Sequence, residues 1–226
     1  MKLPPLRALK AFYSLARLVK DPNRLGEVFE MSDALATPDV IQPMVDRLAE
    51  DAVVARAFEE RHRIRIDLAE LRALPEGTLG RAFAEHMIAA KLDPSALPTL
   101  ASDDAIAFFR AHLYETHDVW HVVTGFGTDV VGELGLQAFY QAQIPGALPS
   151  LLLAVGMLRS AIFDQELTVP FMEALVRGWR MGRAARPLFG VRWDDLWSTP
   201  LCDVRNQLGI AGGADSPSAD ATALAA

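Results

Sequence analysis

The chain has 226 residues, about half of them apolar, which is enough for one full-sized core. Its net charge of −7 argues against nucleic acid as a partner, because phosphate binding needs a basic face. The one cysteine, Cys202, excludes an intrachain disulfide, fits a reducing compartment and reads as structural.

The first 24 residues carry Lys2, Arg7, Lys10, Arg17, Lys20 and Arg24 against a single acid, Asp21. Leu6, Leu9, Phe12, Tyr13, Ala16 and Val19 recur at helical spacing, which predicts a basic amphipathic helix. Such a helix either docks on the core or rests on an anionic membrane surface. No signal peptide is evident, because the apolar residues are interleaved with Arg and Lys. Residues 39–60 read as one or two helices, with Thr37 able to cap and Pro38 at a first helical position.

"RHRIRID" alternates, but it is short and isolated, and no persuasive strand pattern appears anywhere. "LPEGTLG" is a turn, after which Thr78 or Gly80 starts the helix "RAFAEHMIAAKL". Ser102 is placed as the cap of "DDAIAFFRAHLYETHDVWHVV", with Asp103 and Asp104 in its first turn. Gly125 and Gly127 close that helix, and Thr128 or Asp129 caps the next. Two further helical runs, "PSLLLAVGMLRSAIF" and "PFMEALVRGWRMGRAARPLFG", have proline at their starts. The first is the most apolar stretch, but Arg159 interrupts it, and spanning a bilayer takes about 20 apolar residues.

The expected fold is therefore all-α: a single-domain helical bundle with a metal-binding helical hairpin. Residues 1–50 supply the basic helix and lead-in helices, residues 51–210 the core that carries the site, and residues 211–226 a small, polar, disordered tail.

Four residues carry the candidate chemistry. His121 lies four after His117, so the two share a helix face, and Asp118 can reach the same edge. Both histidines continue the stripe Phe109, Leu113 and so point inward, where buried imidazoles need partners. Glu133 stands about one turn beyond the "TGFGT" turn, so it can meet the pair across an antiparallel hairpin. Two imidazoles and two carboxylates suit Zn²⁺ or Fe²⁺. The plainer reading is a satisfied histidine pair, with Glu133 on a wet stripe of Asp129, Gln137 and Gln141. His62, His86 and His112 share no face with the pair and read as surface or packing residues.

"HDVWH" followed by Glu133 resembles the H-D-x-x-H-x(11)-E signature of the fourth coenzyme Q biosynthesis protein family. "RHRI" with "LPEGTLGRAFAEHM", "VTGFGTDVVGELGLQAF" and "GRAARPLFGVRWDDLWSTPLCDVRNQLGI" resemble family blocks in the family's order, over about residues 51–210. The resemblance implies an all-helical protein in which His117, Asp118, His121 and Glu133 hold a divalent metal, zinc or alternatively iron. It implies ubiquinone biosynthesis: removal of the C1 carboxylate from a polyprenylated 4-hydroxybenzoate-type ring, with replacement by hydroxyl left open. The expected partners are that substrate, a membrane surface and other enzymes of the pathway, with a homodimer left open. With no transit peptide in view, it implies a bacterial member, peripheral on the cytoplasmic side of the inner membrane.

Under that reading Arg159 could meet the substrate's carboxylate or a lipid phosphate, or snorkel to the surface. Residues 148–172 could line a groove for the tail, or be ordinary core helices. Asp118 or Glu133 could do acid–base work. Two alternatives stay open. One is a non-catalytic scaffold that presents prenyl lipids to the biosynthetic complex. The other is a histidine–aspartate phosphohydrolase, for which His86 and Asp129 are further ligands by order only.

Overall fold

A computed structural model of the chain describes residues 3–93 and 100–210. Among the described residues there are eleven α-helices, and the only β-pairing is an isolated bridge between Thr78 and Pro200. They are α1 (Pro5–Lys20), α2 (Leu25–Leu35), α3 (Pro38–Leu48), α4 (Ala52–Glu60), α5 (Leu68–Arg72), α6 (Leu79–Ala89), α7 (Ala105–Thr124), α8 (Val130–Gln143), α9 (Ala147–Ile162), α10 (Thr168–Ala184) and α11 (Leu201–Leu208). The all-α expectation holds. The expected tail lies outside the described residues.

Local chemistry sets the ends of the two helices that matter most. Asp104, not Ser102, caps α7: its carboxylate accepts the Ala107 N–H at 2.8 Å. At the other end Gly125 takes φ 72°, a left-handed conformation that glycine adopts without the Cβ clash other residues meet. Arg205 of α11 donates to the Val122 and Val123 carbonyls, both at 2.9 Å, and so satisfies acceptors that the end of α7 leaves open. Four residues later Asp129 caps α8 by accepting the Val131 and Gly132 N–H groups. Thr37 makes no cap bond, and α3 starts on Pro38 alone.

The main core gathers Trp120 and Val123 of α7, Leu136 and Phe139 of α8, Phe83 and Met87 of α6, and Leu188, Phe189 and Trp193 beyond α10. α7 meets α3, α4, α6, α8 and α11 in this core, and α10 packs along α8. A Cβ at Gly178 would overlap the Gly135 carbonyl, and one at Gly182 would stand 2.8 Å from that of Phe139. The absence of side chains there lets the two backbones approach closely. His112 is buried in this core, against Phe108 and Phe189, and accepts the Gly190 N–H on Nε2. α6 is tied to the far end of the chain: the Leu79 and Gly80 N–H groups donate to the Thr199 and Trp197 carbonyls, each at 2.9 Å.

A second, smaller core joins Ala11, Leu18 and Val19 of α1, Met31, Ala34 and Leu35 of α2, and Val155 of α9. α1 docks through Ala11, Ser14, Leu18 and Val19, the last of them on the stripe read from the sequence. Leu6, Leu9, Phe12 and Tyr13 face solvent, with Leu6 79% and Phe12 67% exposed. Amphipathic periodicity says which residues share a face, not which face the neighbours cover. Here a narrower face, with Ala11 and Ser14, permits close approach. Residues 61–67 form neither helix nor strand. His62 there contacts both carboxylate oxygens of Asp194, at 2.8 and 2.9 Å, and Arg63 pairs with Glu115. Cys202 is exposed rather than structural.

Candidate metal centre

The hairpin of α7 and α8 brings together the four residues that the sequence singles out. His117 and His121 lie one turn apart on α7 with their Nε2 atoms 3.2 Å from each other. Each ring is held from behind. The His121 Nδ1–H donates to the Phe126 carbonyl at 3.0 Å, and His117 Nδ1 lies 3.3 Å from the Tyr140 hydroxyl. A carbonyl can only accept, so the neutral His121 ring carries its proton on Nδ1 and its lone pair on Nε2. Glu133 completes the convergence, with Oε1 3.1 Å from His121 Nε2 and Oε2 3.8 Å from His117 Nε2. Asp118 also offers an oxygen, and its ligand atom and those of the two histidines all lie within 4.8 Å of one another.

The site is dry at the bottom and open at the top. The His121 side chain is fully buried, whereas those of His117 and Glu133 are 34% and 38% exposed. Burial disfavours the charged form of His121, but the hydrogen bond and charge of Glu133, with the Phe126 carbonyl, outweigh it and raise its pKa. Burial and the neighbouring His121 lower that of His117. Burial alone would raise Glu133, yet the two histidines bring it below its usual value. Of the two rings, His121 is therefore the one whose protonated form the Glu133 carboxylate favours. Deprotonated, His117, Asp118 and His121 offer ligand atoms within 4.8 Å of one another and Glu133 approaches both imidazoles from α8, donor types that a small divalent cation takes. The residues fit such an ion.

Sequence reasoning missed part of this site. Tyr140 lies seven residues after Glu133, two turns along the same face of α8, and that spacing was available to find it. It is buried and stacks on Trp120 at 4.3 Å and 11°. Burial, then the charges of Glu133 and Asp118, push its phenol well above the ordinary range, so it stays neutral. His86, which the sequence suggests is a surface or packing residue, packs on His121 itself: the rings stack 5.7 Å apart and within 23° of parallel. Nothing local in the sequence announces this, because α6 meets α7 only through the tertiary fold.

Arg159 stands elsewhere. It donates to the Val19 and Lys20 carbonyls at the end of α1 and pairs with Asp164 at 2.6 Å. Asp129 commits a carboxylate oxygen to the α8 cap.

Residues 4–213 match the family described as "Coenzyme Q (ubiquinone) biosynthesis protein Coq4". This chain belongs to that family. It is 30% identical over 171 residues to the mitochondrial ubiquinone biosynthesis protein COQ4 homolog of Rattus norvegicus, covering 74% of this chain and 64% of the relative, just under two thirds. It is 27% identical over 209 residues to the Bos taurus homolog, covering 90% of this chain and 78% of that one. A crystal structure of a protein assigned to ubiquinone biosynthesis in Nostoc punctiforme is similar throughout. Its TM-score is 0.78 at 32% identity, over 90% of this chain and 98% of that chain.

Proposed function

We propose that this Coq4-family chain acts in ubiquinone biosynthesis as a metal-dependent enzyme that removes the C1 carboxylate of a polyprenylated 4-hydroxybenzoate-type ring. The observation that carries the reading is the convergence of His117 and His121 Nε2 with Glu133 and Asp118, each histidine having its other nitrogen engaged from behind. A divalent ion held by these four residues, zinc or iron, would supply a Lewis acid for the oxygens of the ring. The chain's own groups do the rest. Tyr140 and the Phe126 carbonyl hold the imidazoles in register. The exposed edge formed by His117 and Glu133 admits the head group.

When the C1–carboxylate bond breaks, carbon dioxide leaves and its electron pair stays on the ring carbon, which must take a proton. Asp118 or Glu133 would carry that proton only after leaving the ion and taking a proton up. If a hydroxyl replaces the carboxylate, one atom of dioxygen enters the ring and the other leaves as water, which takes two electrons and two protons from a reductant such as a reduced nicotinamide or flavin.

The tail needs apolar surface outside the hairpin. α9 and α10 expose Met157, Leu158, Ile162, Val169, Met172 and Val176, and a cavity of about 660 Å³ beside α10 is lined by Met172, Val176, Met181 and Ala184. No helix among the described residues is long and apolar enough to cross a membrane. The exposed Leu6, Leu9, Phe12 and Tyr13 of α1 support a peripheral mode of attachment. The same apolar surfaces favour a second reading, a prenyl-lipid scaffold for other pathway enzymes in which the metal only staples the hairpin.

The test is incubation of metal-defined protein with a prenylated 4-hydroxybenzoate, without and then with oxygen, following the ring by mass spectrometry. Metal-dependent loss of the carboxylate is expected, and oxygen dependence tells whether a hydroxyl replaces it. No turnover under either condition, with prenyl lipid still bound, establishes the scaffold instead.

A further inference from the structure

His86 is the polar residue beside the centre that the reaction scheme leaves unused. α6 holds it in place through the Thr78 cap and the hydrogen bonds from Leu79 and Gly80 to the 197–199 loop. Its ring lies face to face with His121, 5.7 Å away. Its Nε2 is buried and has no hydrogen-bond partner among the described residues. A buried polar nitrogen without a partner is destabilising, and native proteins keep few of them. Stacking alone does not account for it, because a phenylalanine would stack on His121 without that cost. Asp118 and Glu133 are both close enough to act on His86 by their charges, so the orphaned nitrogen belongs to the neighbourhood of the candidate ligands.

We propose that His86 is a further ligand-contacting residue of the site, its Nε2 hydrogen-bonding to a phenol or carboxylate oxygen of an aromatic acid bound at the metal centre. The inference rests on the metal reading above and adds to it the group that recognises the head of the bound molecule. Around the pair, the Phe126 carbonyl accepts from His121, the Tyr140 hydroxyl lies 3.3 Å from His117 Nδ1 and the Asp129 carboxylate accepts the α8 cap N–H groups, whereas Trp120 Nε1 is, like His86 Nε2, buried without a partner. His86 is the imidazole left with a buried nitrogen free to read an incoming oxygen.

The experiment uses full-length protein loaded with Co²⁺ in place of the native ion, with 4-hydroxybenzoate as probe and the visible cobalt bands as readout. Wild type is expected to take up one Co²⁺ and to change its bands on adding the probe. His86→Phe should keep Co²⁺ uptake and thermal unfolding but bind the probe about 10- to 100-fold more weakly, the loss expected for one hydrogen bond to a charged group. His86→Gln, which restores a donor and an acceptor, should recover part of that affinity. Equal probe affinity in wild type and His86→Phe overturns the proposal, as does a wild-type Co²⁺ protein that ignores the probe. Loss of Co²⁺ uptake in both His86→Phe and His86→Gln overturns it too, by making His86 only a brace for His121. Failure of wild type to bind Co²⁺ at all removes the metal reading itself, and this inference falls with it.

Discussion

The Nε2 atoms of His117 and His121 face each other at 3.2 Å, while the opposite nitrogen of each ring is held by Tyr140 or by the Phe126 carbonyl. Two lone pairs at that distance repel, so the arrangement persists only with something positive between them. A divalent ion would serve, because Asp118 offers an oxygen beside both histidines and Glu133 one beside His121. His117→Ala or His121→Ala should therefore lower metal affinity by more than about 100-fold, exceeding what outer-shell changes do. Elemental analysis after dialysis against a weak chelator checks this. Stoichiometric metal in both variants would sink the assignment.

Tyr140 tests the outer shell separately. Tyr140→Phe keeps the stack on Trp120 and removes only the hydroxyl 3.3 Å from His117 Nδ1. Metal affinity should fall by about 10- to 100-fold with thermal stability nearly unchanged. Competition titration against a chromogenic chelator measures it.

His112 gives the fold a pH dependence of its own. Burial lowers its pKa to about 4 from the ordinary 6.5. The unfolded chain thus binds a proton that the native ring refuses. The stabilisation is complete above pH 6.5 and is lost progressively as pH falls from 6.5 to about 4, amounting to about 3 kcal/mol. Urea unfolding of wild type should weaken across that window. His112→Gln should be less stable at pH 7 but flatter between pH 6.5 and 4, after the carboxylates common to both proteins cancel.

Gly178 is where α10 rides on α8. Adding a single methyl by Gly178→Ala forces it against the Gly135 carbonyl, which is backbone and cannot turn aside. Destabilisation of about 1–3 kcal/mol is expected. At this chain length each kcal/mol lowers the melting temperature by roughly 2–4 °C. A Gly178→Ala protein that melts with wild type would mean that the two helices separate at little cost.

The outward face of α1 predicts lipid attachment. Phe12→Ser should reduce binding to anionic vesicles by about tenfold or more, since burying such a side chain is worth about 1.5–3 kcal/mol. Vesicle flotation reads this directly. Equal flotation of wild type, Phe12→Ser and a chain lacking α1 would move attachment to another surface.

The parts of the site that lie close together in the chain were legible in the sequence. Helical spacing alone put His117 and His121 on one face, and Gly125 with Asp129 marked the turn that returns Glu133 to them. The parts that depend on distant segments were not. His86 reaches His121 from another helix, and the groups that hold Arg159 include backbone carbonyls of α1, which no side-chain pattern reveals. Which of the two readings of α1 holds was not legible for a related reason: its large apolar residues mark a surface, and the partner decides whether that surface is inside.

The hydrogen bonds from Leu79 and Gly80 to the carbonyls of Thr199 and Trp197 span more than half the length of the chain. During synthesis, α6 cannot find these partners until residues 197–199 have left the ribosome exit tunnel. The centre, whose helix α6 carries His86, is therefore completed only once residues 197–199 have emerged. A nascent chain stalled before Trp197 should then expose α6 and its seam with α7 to proteases and chaperones.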